Sequence, residues 1–198
     1  MSMTAQPTHV VVGYDFSHTG HAALHRAVAL AARAPGHVLH VVCVIDPDEP
    51  IPSIPSYDGV DHMYAARVQE ALAIETQKEL DAADVHGRVH FFVHARIGDK
   101  VAAEILAIAE EVGADLIIVG SHGLTGVERF LIGSTSEKIV REAKCTVEVA
   151  RAKHYPGVEH ATDGDHDKAE RDANYLPPHR YEYEDHRVNL RPPEWPLY

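Results

Sequence analysis

Cysteine is nearly absent from this chain: Cys43 and Cys145 are the only two in 198 residues. Two thiols supply neither a disulfide framework nor a zinc ligand set. Cys43 lies inside an apolar run and Cys145 just ahead of another, so both read as small buried hydrophobes. No apolar run reaches the roughly 18 residues that a membrane-spanning helix needs. Residues 1–7 lack the basic and apolar stretches of a secretory leader, and the expected location is the cytoplasm. Basic residues are also scarce, with 18 Lys and Arg against 30 Asp and Glu and a formal net charge of −12. That balance disfavours loose binding to nucleic acid or to an anionic membrane surface. Several catalytic signatures are missing too. There is no G-x4-G-K-[ST] phosphate loop, no G-x-G-x-x-G dinucleotide turn and no G-x-S-x-G nucleophile elbow.

What is present is alternation. His9–Asp15 is rich in β-branched residues and reads as a strand, followed by Ser17 as an N-cap and a helix over 18–34 with an apolar stripe of Ala23, Ala27, Leu30 and Ala31. Pro35-Gly36 ends it. Val38–Ile45 is a nearly continuous apolar strand of the kind found in parallel sheets covered on both faces. A proline-containing loop over 46–59 leads to a long helix over 61–84, with Val68, Leu72, Glu75 and Glu79 at helical spacing. A third strand over 88–95 precedes a helix over 100–112, with Ala103, Ile105, Leu106, Ile108 and Ala109 on its apolar side and Gly113 at C′. Strands over 115–119 and 146–151 flank a fourth helix. The order β-α-β-α-β-α-β-α-β predicts a doubly wound α/β sheet with right-handed crossovers. Ligands on such sheets sit at the carboxyl ends of strands, where the strand order reverses. Asp15 and Gly120 lie at two such ends.

The fourth strand runs straight into Gly120-Ser121-His122-Gly123, and the next helix opens with Gly133-Ser134-Thr135-Ser136. The first N–H groups of a helix have no internal partner and carry the positive end of its dipole. Glycines let an anion approach that backbone closely. The pattern therefore predicts an anion site, best suited to nucleotide phosphates. The competing reading is a tight turn followed by an ordinary N-cap, with Ser134 or Thr135 bonding the same N–H groups. Asp15 offers a carboxylate to a ribose hydroxyl or an adenine amino group, or closes an Asx turn. His122 and Arg129 are secondary candidates for phosphate contact.

With Asp15-Phe16-Ser17 after the first strand and G-x2-G-x9-G-S across residues 120–134, residues 8–151 resemble the universal stress protein family. The resemblance implies five parallel strands in the order 3-2-1-4-5 and an ATP-binding subclass. It implies Asp15 near the ribose or adenine and Val44 against the adenine through backbone groups. Gly120 and Gly123 would flank the ribose and phosphates, and Gly133, Ser134, Thr135 and Ser136 would hold the phosphates, with Mg²⁺ carried through them. It also implies a homodimer or higher homo-oligomer built by pairing fifth strands around Val147 and Val149. Thr146 stands where many relatives have proline, and Glu148 where they have an apolar residue.

These readings give a binding module in which ATP holds a conformational or oligomeric state in stress response. The alternatives are an adenine-nucleotide α-hydrolase-type enzyme with slow hydrolysis, and a nucleotide-free assembly protein. Beyond Arg151, residues 152–198 form an acidic linker and then a Pro- and aromatic-rich tail with Tyr175, Tyr181, Tyr183, Trp195 and Tyr198. His154, His160 and His166 beside Asp163, Asp165 and Asp167 match no zinc spacing and read as solvated linker. The tail's rings and restricted prolines predict docking on its own domain or a neighbouring subunit.

Overall fold

β-branched runs alternating with amphipathic stretches give alternating strands and helices. A computed structural model describes residues 7–33, 35–56, 59–85, 87–123, 132–151, 183–184 and 187–188. Chain contacts divide the molecule into residues 1–153 and 154–198. Within the first unit the order is β1 (Thr8–Gly13), α1 (His18–Arg33), β2 (His37–Ile45), α2 (His62–Ala82), β3 (His90–Ile97), α3 (Val101–Val112), β4 (Leu116–Gly120), α4 (Ser134–Glu142) and β5 (Thr146–Ala150). In the second unit, β6 (Tyr183–Glu184) and β7 (Arg187–Val188) pair antiparallel. The other tail residues, including the remaining aromatics and the linker histidines, lie outside the described residues.

All five strands of the first unit are parallel, in the order β3-β2-β1-β4-β5 that the family resemblance implies. The order reverses between β1 and β4, which places the carboxyl ends of those strands at the switch point. α1 and α2 cover one face, over Val10, Val12, Leu39, Val41, Cys43 and Ile45. α3 and α4 cover the other, over Val11, Val42, Ile117 and Val119. β1 and β2 are apolar on both faces because helices lie on both. Cys43 is buried as expected, and burial pushes its thiol up to about 12, so it is an inert hydrophobe.

The helix faces differ in detail from the sequence reading. α1 buries Gly20, Ala23, Leu24, Ala27, Val28 and Ala31, while Leu30 packs only at the margin. α2 buries Tyr64, Val68, Leu72, Thr76 and Leu80, so Thr76 and Leu80 occupy the places assigned to Glu75 and Glu79. Thr76 enters the core because its hydroxyl donates to the Leu72 carbonyl at 2.8 Å. α3 turns Ala102 inward, while Ala103 and Leu106 are half-buried. Gly113 ends α3 at φ 63°, the left-handed cap that glycine adopts without a Cβ penalty. The proline-containing loop after β2 folds back onto the core. Ile51 and Ile54 are buried there, and the Ile51 N–H donates to the Tyr64 hydroxyl at 2.7 Å.

Candidate functional site

β1 ends on glycine, and the chain then makes a sharp turn into α1. Asp15 sits in that turn and Phe16 follows at φ 62°, a left-handed conformation costing roughly 1 kcal/mol or more outside glycine. The Ser17 N–H and hydroxyl both donate to Asp15 Oδ1, at 3.0 and 2.5 Å. The Gly20 N–H in turn donates to Ser17 Oγ at 3.0 Å, so Ser17 caps α1 as its position predicts. Asp15 thus closes an Asx turn through one oxygen. A Cβ added at Gly123 would lie 3.2 Å from its other oxygen, Oδ2. The turn after β1 and the glycine turn after β4 therefore meet at one carboxylate, although 108 residues separate them in the chain (123 − 15).

The three loop glycines have different local surroundings. A Cβ at Gly120 would lie 2.7 Å from the Thr19 carbonyl, so Gly120 is required by the close approach of α1. The Thr19 hydroxyl donates to the His122 carbonyl across the same contact. Gly123 is exposed and leaves space beside Asp15. Gly133 donates its N–H to the Ser121 carbonyl at 2.8 Å and serves as N-cap of α4 with no side chain to offer.

The first intrahelical bond of α4 runs from the Glu137 N–H to the Gly133 carbonyl. The N–H groups of Ser134, Thr135 and Ser136 precede it and point out of the helix start. The hydroxyls there are unequal. Ser136 is buried and donates to the Gly120 carbonyl at 2.7 Å, which ties α4 to the end of β4. Ser134 is exposed and Thr135 half-buried. His122 Nδ1 lies 3.0 Å from Ser121 Oγ, while its Nε2 is buried with no hydrogen-bond partner among the described residues. Such an atom is costly to leave unsatisfied.

Val44 lies one residue before the end of β2, in register with Arg96, and its side chain packs against the α3–α4 core. Arg129 lies outside the described residues. Gly20, Ser17 and Thr19 are structural partners of the site that sequence reasoning did not single out as such. A Cβ at Gly20 would lie 2.5 Å from Asp15 Oδ1, so glycine is needed where α1 begins. The spacing Asp15-x-Ser17-x-x-Gly20 is the signal that could have found them.

The Glu148 side chain lies on the α1 side of β5, where Arg26 Nε donates to it at 2.5 Å. Its polar character is thereby explained within the chain. Among the described residues no group of three or more His, Cys, Asp or Glu is placed to hold a metal ion, and no helix is long and apolar enough to cross a membrane.

The comparisons with known proteins agree with this architecture. The sequence profile of the Universal stress protein family matches residues 7–151. A Staphylococcus aureus (strain USA300) relative named for the universal stress proteins is 34% identical over 153 residues, covering 74% of this chain and 86% of its own. A Staphylococcus epidermidis (strain ATCC 12228) relative of the same name is 32% identical over 147 residues, with the same coverage. Among solved structures, the universal stress protein UspA from Lactobacillus plantarum superposes with a TM-score of 0.51 at 24% identity, over 74% of this chain and 99% of its own. A universal stress protein solved in complex with cAMP superposes with a TM-score of 0.54 at 24% identity, over 74% and 98%. Residues 7–151 carry both the profile match and the five-stranded sheet in the order β3-β2-β1-β4-β5, and the chain belongs to the universal stress protein family.

Proposed function

We propose that the crevice between the β1 and β4 turns binds an adenine nucleotide, ATP with its Mg²⁺, and that the bound nucleotide holds a conformational or oligomeric state in a cytoplasmic stress response. The observation that carries this reading is the approach of Gly123 to Asp15, so close that a Cβ added at Gly123 would lie 3.2 Å from Oδ2. It brings a hydroxyl-accepting carboxylate beside a backbone position that has no side chain. The N–H groups of Ser134, Thr135 and Ser136 would receive the phosphates at the positive end of α4. Gly133 supports this, because a glycine N-cap contributes no competing oxygen. The buried Nε2 of His122, without a partner among the described residues, would gain one from a phosphate or ribose oxygen. Val44 would meet the adenine through its backbone. Gly120 would contribute by letting α1 close on the loop, and the Ser136 hydroxyl by fixing α4 to β4.

The cAMP complex of a relative with the same fold supports an adenine nucleotide as the ligand class. Mg²⁺ would be held through the phosphates and neutralise them, so the acidic chain need not supply cationic side chains. Binding rather than rapid turnover is the role that fits, since Asp15 Oδ1 is engaged by Ser17 and no phosphate-loop lysine follows the glycines. A homodimer through the outer edge of β5, around Val147 and Val149, is the assembly on which such a nucleotide would act.

Equilibrium binding of ATP with Mg²⁺ to the purified chain tests the reading. In Gly123→Val the new side chain meets Asp15 and fills the crevice while the sheet is untouched. The expected result is a loss of ATP affinity of at least ten-fold with an unchanged circular dichroism spectrum. ATP bound equally well by the variant overturns this placement of the nucleotide.

A further inference from the structure

On the face covered by α3 and α4, the β2–β3 side of the sheet is left partly open. Phe92 is 55% exposed there, and three histidines cross the strands on a diagonal. His9 Nδ1 on β1 lies 3.0 Å from His40 Nε2 on β2, and His40 Nδ1 lies 3.2 Å from His94 Nε2 on β3. The rings of His9 and His40 stack with centroids 5.3 Å apart, and Phe92 stacks on His40 at 5.2 Å and 12°. His40 is only 5% exposed. Its two nitrogens face opposite ways, so the three rings share no common point for a metal ion.

The protons in this chain can be counted. A bond between two imidazoles needs one N–H and one bare nitrogen. Three neutral rings carry three ring protons. Two of these lie in the two contacts, and the third occupies His9 Nε2 or His94 Nδ1 at an outer end. One added proton fills the remaining outer nitrogen and leaves both contacts intact. A second has no nitrogen outside the contacts, so it sets N–H against N–H and one contact must open.

We propose that His9, His40 and His94 form a proton-counted latch across β1, β2 and β3, closed with no added proton or one, and opened by the second. β3 is an edge strand, hydrogen-bonded on the β2 side alone among the described residues, so opening removes a side-chain tie that supports its ladder with β2. Among the described residues, the charges facing the cluster are few. From β3 come Arg96 and, exposed at the strand's start, His90. From α3 comes Glu111, paired with Arg96 at 3.4 Å. From the turn before β4 comes Asp115, whose carboxylate accepts from the His9 backbone N–H at 2.9 Å. Burial, with smaller contributions from His94 and His9, holds the His40 imidazole down to about 4. Burial and Arg96 hold His94 below its usual range, with Glu111 opposing. Both shifts keep the second proton off until the medium is distinctly acidic.

The unfolded chain takes three protons at these residues below its ordinary histidine range, whereas the closed latch takes one. The deficit of two makes the unfolding equilibrium constant rise up to about a hundred-fold per pH unit as pH falls through that window. Urea unfolding of the full chain between pH 6.5 and 5, followed by far-ultraviolet circular dichroism, measures this slope. His94→Gln and His9→Gln each keep a hydrogen-bonding group and remove one titrating ring, which leaves a deficit of one and a slope about ten-fold smaller per pH unit. His40→Gln removes both imidazole–imidazole contacts and with them the count that limits the cluster to one added proton. A purely structural role would lower stability in each variant by the same factor at every pH. Equal slopes in the wild type, His94→Gln and His9→Gln overturn the proposal. The second measurement is imidazole nitrogen NMR of the native protein at pH 5.5, with four ring protons expected across the three histidines. Five or six ring protons with both contacts retained would also overturn it.

Discussion

α2 runs for 21 residues and α3 for 12, and that difference decides how each face of the sheet meets water. α2 packs along β3 and β2 and seals their side of the sheet with Tyr64, Val68, Leu72 and Leu80. α3 packs on β1 and β2 and on α4, and the outer strand is left with Phe92 exposed and a line of imidazoles. The right-handed crossovers set this arrangement, since the helix leaving β2 and the helix leaving β3 fall on opposite faces. The residues follow the cover. Under α2 the strands present apolar side chains, Phe91 among them, whereas beside α3 they carry imidazoles with an apolar body and a polar rim, which suit a half-wet surface. One sheet therefore combines a closed core that supplies stability with an open side that responds to solvent.

The sharpest way to break this comparison is to shorten one side chain on each face. Leu72→Ala on the sealed face should cost roughly 2–5 kcal/mol in urea unfolding, as cavities in closed cores do. Phe92→Ala on the open face should cost much less, because the ring is already 55% exposed. Equal losses would mean that the open face is covered in solution. Acid comes next in size. His40 has a folded value of about 4 against 6.5 unfolded, so its contribution is complete above pH 6.5 and is lost as pH falls toward 4. The loss amounts to about 3 kcal/mol over that window, read as a falling urea midpoint. Gly120→Val should follow at about 1–3 kcal/mol, because its Cβ would strike the Thr19 backbone at 2.7 Å. Unlike Gly123→Val, it should damage fold and binding together. The smallest effect belongs to Arg26→Ala, which breaks a half-exposed ion pair with Glu148 and should cost less than about 1 kcal/mol.

Much of the fold was legible because its signals are local. Runs such as Val38–Ile45 are too uniformly apolar to be surface strands, and Gly113 and Ser17 mark helix ends by their own chemistry. The inward face of α2 was misread where local signals mislead. Thr76 is polar by type, yet its hydroxyl is satisfied one turn back, and periodicity does not reveal that bond. The candidate site was legible as a set of glycines and a carboxylate. Their unequal surroundings were not, because the approach of Thr19 to Gly120 is a tertiary contact across 101 residues (120 − 19). The histidine line was invisible for a stronger reason. It depends on the parallel register that sets His40 against Phe92 and Val42 against His94, and nothing near any one of these residues encodes it.

One helix joins the crevice to the far edge of the sheet. In its first turn α1 touches the glycine turn, where Thr19 bonds the His122 carbonyl. Two turns later Arg26 grips Glu148 on β5, the strand at the opposite edge of the sheet from β3. Seven residues of helix measure about 10 Å, and the one glycine among them, Gly20, is buried and held by its N–H bond to Ser17 Oγ. In mechanical terms α1 is a tie rod, with one end bolted to the crevice rim and its shaft to the outermost strand. A change in the tension of that rim therefore has a stiff member along which to reach the sheet edge.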